Sequence, residues 1–236
     1  MSGGSGSGEV AVVIPARNEA DRIQATVTAA LGLPAVALVI VVDDGSKDAT
    51  AATARRAGAV VMRHARNRGK GAALETGAEA VALLDQREHR DRSRHLLFLD
   101  ADLGGTAAQA GPLAGPVLAG AADMTIAVFA ATVKLGGHGL VVGLSGAGIR
   151  RATGWQPAQP LNGQRCLTRA AFEAARPLAR GWGVETALTI DLLRQGLRIT
   201  EVEVDLAHRA TGTGMRAQLH RAHQLADVAR ALAVRI

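Results

Sequence analysis

The feature that most constrains this 236-residue chain is an alternation in its first half, where short β-branched apolar runs are each followed by a stretch with helical spacing. Runs at 9–15, 37–42, 59–63, 95–99 and 124–129 have strand length. The segments between them, 20–31, 47–57, 70–84 and 107–118, read as helices, the last interrupted by Gly and Pro. Ile23, Val27, Ala30 and Leu31 mark one face of the first helix; Ser46 stands where the second would be N-capped and Gly58 where it would end. Strands that are apolar throughout are buried on both faces, so the pattern predicts an α/β fold with a mostly parallel central sheet flanked by helices. In such sheets ligands bind beyond the carboxyl ends of the strands.

Polar motifs stand at those ends. The first strand runs into Pro15-Ala16-Arg17-Asn18-Glu19, a turn with side chains able to grip a base and ribose. The second runs into Asp43-Asp44-Gly45-Ser46. A carboxylate there accepts hydrogen bonds from a nucleobase N–H or a ribose hydroxyl, or caps the next helix. Asn67-Arg68-Gly69-Lys70-Gly71 follows the third. It is not a Walker loop, because His64 and Gly71 occupy positions that would need Gly and Ser or Thr, yet Lys70 at a helix start suits a phosphate. The fourth ends in Asp100-Ala101-Asp102. Two acids closing a buried apolar strand need a cation or a partner, and their spacing suits Mg²⁺ or Mn²⁺ holding a diphosphate.

The set P-A-R-N-E, V-V-D-D-G-S, G-K-G and L-D-A-D, each after its own strand, resembles the GT-A glycosyltransferases of family 2 type, over residue 9 to about 128. The resemblance implies a metal-dependent transfer of a sugar, glucose from UDP as the best expectation, out of a nucleotide-diphosphate donor. It implies a nucleotide-sugar site made of Pro15, Ala16, Arg17, Glu19, Asp43, Asp44, Gly45, Lys70, Asp100 and Ala101, with Asp102 on the metal.

The second half reads as a Gly-rich stretch at 136–148, a strand at 160–168, helices at 169–175 and 184–195, a strand at 197–204, a loop at 205–214 and a long helix at 215–234. Here Gly181-Trp182-Gly183-Val184-Glu185, Gln159-Pro160-Leu161-Asn162-Gly163 and Ala207-His208-Arg209 resemble the glucosyl-3-phosphoglycerate synthase branch of that family. The resemblance implies that His208 completes the metal site with Asp102. It puts Glu185 near the acceptor, as base or as positioner, and Asn162, Gly163 and Arg165 with it, facing a small, possibly phosphorylated acceptor. The branch differs from this chain after Asn162-Gly163, where Gln164, Arg165 and Cys166 stand.

With no repeat and no linker, one domain is expected over 9–236, with a nucleotide-binding half at 9–130 and an acceptor-binding half at 131–236, behind a flexible tail at 1–8. A net charge of +6 favours anionic partners, while five aromatics and no Tyr argue against stacking on nucleic acid. No apolar run reaches 18 residues, so no membrane span is expected. One cysteine, Cys166, excludes an internal disulfide, and a cytoplasmic protein, with a homodimer as its assembly, is the expectation. The helix at 215–236 sets Arg and His beside Leu and Val, so a peripheral contact with membrane, as in a polyprenyl-phosphate glycosyltransferase, is one alternative. A non-catalytic nucleotide-binding protein of the same fold is the other.

Overall fold

The computed structural model describes residues 9–129, 139–206 and 215–236. Seven strands among them, β1 (Val10–Ala16), β2 (Val36–Asp43), β3 (Val60–Arg63), β4 (His95–Phe98), β5 (Met124–Phe129), β6 (Arg165–Leu167) and β7 (Ile199–Val204), form one sheet in the order β3-β2-β1-β4-β6-β5-β7. Strand β6 runs antiparallel to both β4 and β5, and the other pairings are parallel. The eight α-helices are α1 (Ile23–Leu31), α2 (Thr50–Arg56), α3 (Lys70–Arg87), α4 (Gly115–Leu118), α5 (Gly139–Thr153), α6 (Arg169–Ala174), α7 (Val184–Arg194) and α8 (Met215–Ala233). The helix expected at 107–118 is a 3₁₀ segment over Gly104–Leu113 followed by the single turn of α4, with Pro112 and Pro116 preventing a continuous ladder.

The unbroken apolar composition of β1 and β2 has the predicted consequence. Val10, Val12, Ile14, Val39 and Val41 face one way, against Ile23, Val27 and Ala30 of α1; Ala11, Val13, Ile40 and Val42 face the other, against Ala73, Leu74, Ala78 and Val81 of α3. Helix α3 lies close on the sheet at Gly77, where a methyl group would run into Val13. A third apolar cluster, Val141, Ile149, Ile190, Val228 and Leu232, joins α5, α7 and α8. The Gly-rich stretch, left without a helix by the sequence pattern, is largely α5. Its Gly148 faces Leu232, so it packs by close approach of backbone as well as through Val141 and Ile149.

Two helix starts also differ from expectation. Ser46 does not cap α2: its hydroxyl accepts from Asn18 N (2.9 Å) and its own amide donates to Asp43 Oδ1 (2.9 Å). Helix α1 begins at Ile23, later than the apolar spacing suggested, because Asn18 turns the chain through a positive φ of 56° and Glu19 N is drawn to Thr50 Oγ1 (2.9 Å).

The sheet order opens a crevice. Strand β1 turns to β2 and β3 on one side and the chain then crosses to β4 on the other, so the switch point falls between β1 and β4. Strand β4 pairs with β1 only as far as Val13 opposite Phe98, whereas β2 accompanies β1 to Ala16 opposite Asp43. The turn starting at Pro15 and the acids after Leu99 therefore flank one opening.

Candidate active site

The site is best built from Lys70, the first residue of α3. Its Nζ lies 2.7 Å from Asp100 Oδ1 and 2.8 Å from Glu185 Oε1. Asp100 follows β4 and Glu185 sits in the first turn of α7, so one ammonium joins carboxylates from the two halves of the chain. Burial alone would favour the neutral amine, but the two carboxylates and their hydrogen bonds outweigh it and hold the Lys70 pKa above the ordinary lysine value. Gln164 donates through Nε2 to Asp100 Oδ2 (3.0 Å). Gly163 seals the cluster, since a methyl group there would meet Lys70 Nζ and would stand 3.2 Å from both Asp100 oxygens. Asn162 accepts from Gln164 N (3.0 Å) and donates to Gln159 Oε1 (3.1 Å), which fixes the loop carrying Gly163.

The other motifs gather round this cluster. Pro15 and Glu19 are half-buried, Ala16 buried and Arg17 exposed at the end of β1. Ala101 is buried, with its carbonyl accepting from Thr26 Oγ1 (2.9 Å), and the Asp102 carbonyl accepts from Arg22 Nη1 (3.0 Å). These two bonds from α1 and its approach fix the backbone of the D-A-D turn. An open cleft of about 580 Å³ adjoins Gly45 and is lined by the cations of Arg17, Lys47, Arg63 and Arg66, a setting suited to an anionic ligand. A second hollow, of about 420 Å³ beside Asp85, Arg90 and Arg169, contains none of the motif residues.

The packing bears on three of the expected site residues. Arg165, expected among the acceptor ligands, is 1% exposed. Its guanidinium donates to the carbonyls of Asn162 (2.8 Å), Pro160 (3.1 Å) and Glu185 (3.0 Å) and to Thr189 Oγ1 (2.9 Å), so it pins the Gly163 loop to α7. Burial pulls its pKa down to about 10, which still leaves it charged at neutral pH. Asp44, expected on the nucleoside, is turned inward: its oxygens accept from Arg68 N (2.8 Å) and Gly69 N (2.8 Å), and His64 Nδ1 lies 2.7 Å from Oδ1. It shapes the loop before Lys70. Asp43 is fully buried and holds Ser46 N and the Arg63 guanidinium (3.1 Å). Gly45 between them needs its positive φ of 74° and its missing side chain, because a Cβ would press on the backbone of Arg66 and Asn67.

His208, expected as the second metal ligand, lies outside the described residues. Among the described residues no three His, Cys, Asp or Glu side chains cluster as a metal site. No helix among them is long and apolar enough to cross a membrane. Sequence reasoning missed Gln164 and His64. The first had a signal, lying one residue after the Asn162-Gly163 motif; the second was noticed only as the wrong residue for a Walker loop.

Comparison with known proteins gives this arrangement a family. Solved structures of glucosyl-3-phosphoglycerate synthase from Mycobacterium tuberculosis superpose on the chain. The complex with Mn²⁺, UDP-glucose and phosphoglyceric acid has a TM-score of 0.73 at 26% identity, covering 95% of this chain and 79% of that one. The complex with Mg²⁺ and UDP has a TM-score of 0.69 at 25% identity, covering 95% and 79%. Among curated proteins, glycosyltransferase AglJ of Haloferax volcanii is 29% identical over 208 residues, 86% of this chain and 65% of its own length. The protein MJ1222 of Methanocaldococcus jannaschii is 43% identical over 75 residues, 32% of this chain and 30% of its own. The chain thus spans less than two thirds of either curated relative. The model of glycosyl transferase family 2 matches residues 11–134, more than half of the chain, and the chain belongs to that family.

Proposed function

We propose that the chain transfers a hexosyl group, glucose from UDP-glucose in the first instance, to a small anionic acceptor with the help of a divalent cation. The observation that carries this reading is the junction at Lys70, where Asp100 from the first half and Glu185 from the second meet one ammonium at the mouth of the sheet. The structural neighbours hold UDP, UDP-glucose and phosphoglyceric acid on the same fold, which supports both the donor and the acceptor class.

In this reading the turn Pro15-Ala16-Arg17 with Glu19, and the Asp43 region with Gly45, receive the nucleoside, and the cations beside Gly45 favour its phosphates. Asp100 is held by Lys70 and Gln164, and Asp102 is the D-A-D carboxylate we assign to the metal, with His208 as its partner, on the likeness of the L-D-A-D motif to the family pattern. One or two hard protein ligands suffice when a diphosphate supplies the rest, so the donor set fits Mg²⁺ or Mn²⁺. When bound, such an ion neutralises charge on the departing diphosphate. Glu185 already accepts from an ammonium, which suits orienting a hydroxyl of the sugar or acceptor better than taking its proton. Asn162 and Gly163 border the acceptor side of that carboxylate cluster.

Thermal melts with UDP-, GDP- and ADP-sugars, each with and without Mn²⁺, test the reading. A bound ligand raises the melting temperature by mass action. UDP-glucose with Mn²⁺ is expected to give the largest rise, and Asp102→Ala to remove its Mn²⁺-dependent part. No Mn²⁺-dependent rise with any donor would end the proposal. A second reading, a lipid-phosphate acceptor at a membrane surface, has one observation in its favour: Leu140, Leu225, Val234 and Ile236 on or beside α5 and α8 are exposed. Co-sedimentation with anionic liposomes separates the two.

A further inference from the structure

The side chain that the family motifs leave unused is His64. It follows β3, is buried, and bridges two groups, with Nδ1 2.7 Å from Asp44 Oδ1 and Nε2 2.9 Å from Thr76 Oγ1. A carboxylate only accepts, so the proton at that contact sits on Nδ1, and Nε2 is left facing the Thr76 hydroxyl. The same Asp44 carboxylate accepts from Arg68 N and Gly69 N, the last two amides before Lys70. Thr76 lies on α3, the helix that Lys70 begins. Its backbone fastens the ring as well, since His64 N donates to Asp43 O (2.9 Å).

From this chain of contacts we infer that His64 is a positioning residue for the donor site. Its imidazole orients Asp44, Asp44 folds the Arg68-Gly69 backbone, and that fold aims Lys70 at Asp100 and Glu185. The inference rests on the donor-binding reading above for its functional half, and on geometry alone for its structural half. An aspartate held by one ring nitrogen and two amides has one orientation. Without the ring, its oxygens can turn; Arg68 N then loses its acceptor, and Gly69 N keeps only Asn67 Oδ1 (3.0 Å), a loss of about tenfold in an equilibrium at Arg68.

The two ring nitrogens allow a test that keeps a polar group in the same space. An asparagine amide reaches the place of Nδ1, and a glutamine amide the place of Nε2. His64→Asn therefore keeps the Asp44 contact and loses Thr76, while His64→Gln does the reverse. Two quantities are measured on the full chain: exchange of the Arg68 and Gly69 amides by NMR, with Val41 in the sheet as a folding reference, and the Kd for UDP-glucose with Mn²⁺. The expected result is that His64→Gln speeds exchange about tenfold at Arg68 and less at Gly69, whose amide also donates to Asn67 Oδ1, and weakens UDP-glucose about tenfold, with Val41 unchanged. His64→Asn stays within about twofold of the unsubstituted chain in both. Equal behaviour of the two variants overturns the inference, as does unchanged exchange in His64→Gln. If the unsubstituted chain binds no UDP-glucose, the donor reading falls, while the exchange contrast still decides the role of His64.

Discussion

Replacing Lys70 with methionine removes the cation that Asp100 and Glu185 share while nearly keeping the stem length. Asp100 Oδ1 and Glu185 Oε1 lie 2.7 and 2.8 Å from Nζ, so they are at most about 5.5 Å apart, the sum of those distances. At an effective dielectric of about 20, two unit charges at that separation repel by roughly 3 kcal/mol. Breaking a buried ion pair by deleting one partner costs about 3–5 kcal/mol in general. The Lys70 side chain is 17% exposed and Asp100 27%, so solvent screens part of this and the lower end is expected. For a chain of this size about 3 kcal/mol lowers the Tm by roughly 6–12 °C. The pH dependence gives a second constraint. Lys70 is held above the ordinary lysine pKa, so its contribution is complete below the unfolded value of about 10.4 and falls as pH rises from there through the folded value. Urea unfolding of Lys70→Met and the unsubstituted chain at pH 8 and at pH 11.5 is the assay. The stability gap should be near 3 kcal/mol at pH 8 and narrower at pH 11.5. A gap under about 1 kcal/mol at pH 8, the value of an ordinary surface pair, would refute the reasoning; so would a gap that stays constant across the two.

Other consequences follow from the same packing. Gly163→Ala puts a methyl group against Lys70 Nζ and Asp100, so transfer or hydrolysis of UDP-glucose should fall at least about tenfold, with a Tm loss smaller than that of Lys70→Met. Steady-state kinetics beside a melt would show whether the two separate. Arg165→Met removes the guanidinium's donors from the Asn162 and Pro160 carbonyls, while the Glu185 carbonyl and Thr189 hydroxyl keep each other (2.9 Å), for a loss of about 3 kcal/mol in urea unfolding. Soluble variant with undiminished stability would return Arg165 to the acceptor. The Cys166 thiol, buried in β6 and pushed up to about 12, should resist a disulfide reagent at pH 8 in the folded chain and react at once in denaturant.

The first half was legible because its strands announce themselves. Val10–Ile14 and Val39–Val42 are apolar on both faces, and each ends at a polar motif that the sheet carries to one crevice. What the motifs did not carry was direction. Asp43 and Asp44 are adjacent acids after one strand, and spacing alone leaves open which faces a ligand. The structure turns Asp44 toward backbone amides and His64, a choice made by the loop at 64–69, which sequence reasoning had read only as a failed Walker motif. Likewise Lys70 was legible as a cation at a helix start, but its two carboxylate partners lie 30 and 115 positions away along the chain, beyond the reach of any local pattern.

The second half was less legible for a related reason. Helix α5 contains Gly139, Gly143, Gly146 and Gly148, residues that weaken a helix in isolation by about 1 kcal/mol each. Its helical state is therefore a tertiary product: Gly148 admits Leu232, and Val141 and Ile149 join Ile190 and Val228. The same principle decides Arg165. An arginine after a motif for an anionic acceptor reads as a ligand, yet the carbonyls of Asn162, Pro160 and Glu185 converge on it from two elements and leave it no solvent. Both features depend on partners supplied by distant segments, on α8 and on α7. The first turn of α7 carries Glu185, whose side chain meets Lys70 and whose carbonyl meets Arg165. At Glu185, approached from one side by the Lys70 cation and from the other by the Arg165 cation that holds the scaffold, the second half of the chain thus meets the first, beside the further ties of Gln164 to Asp100 and of β6 to β4.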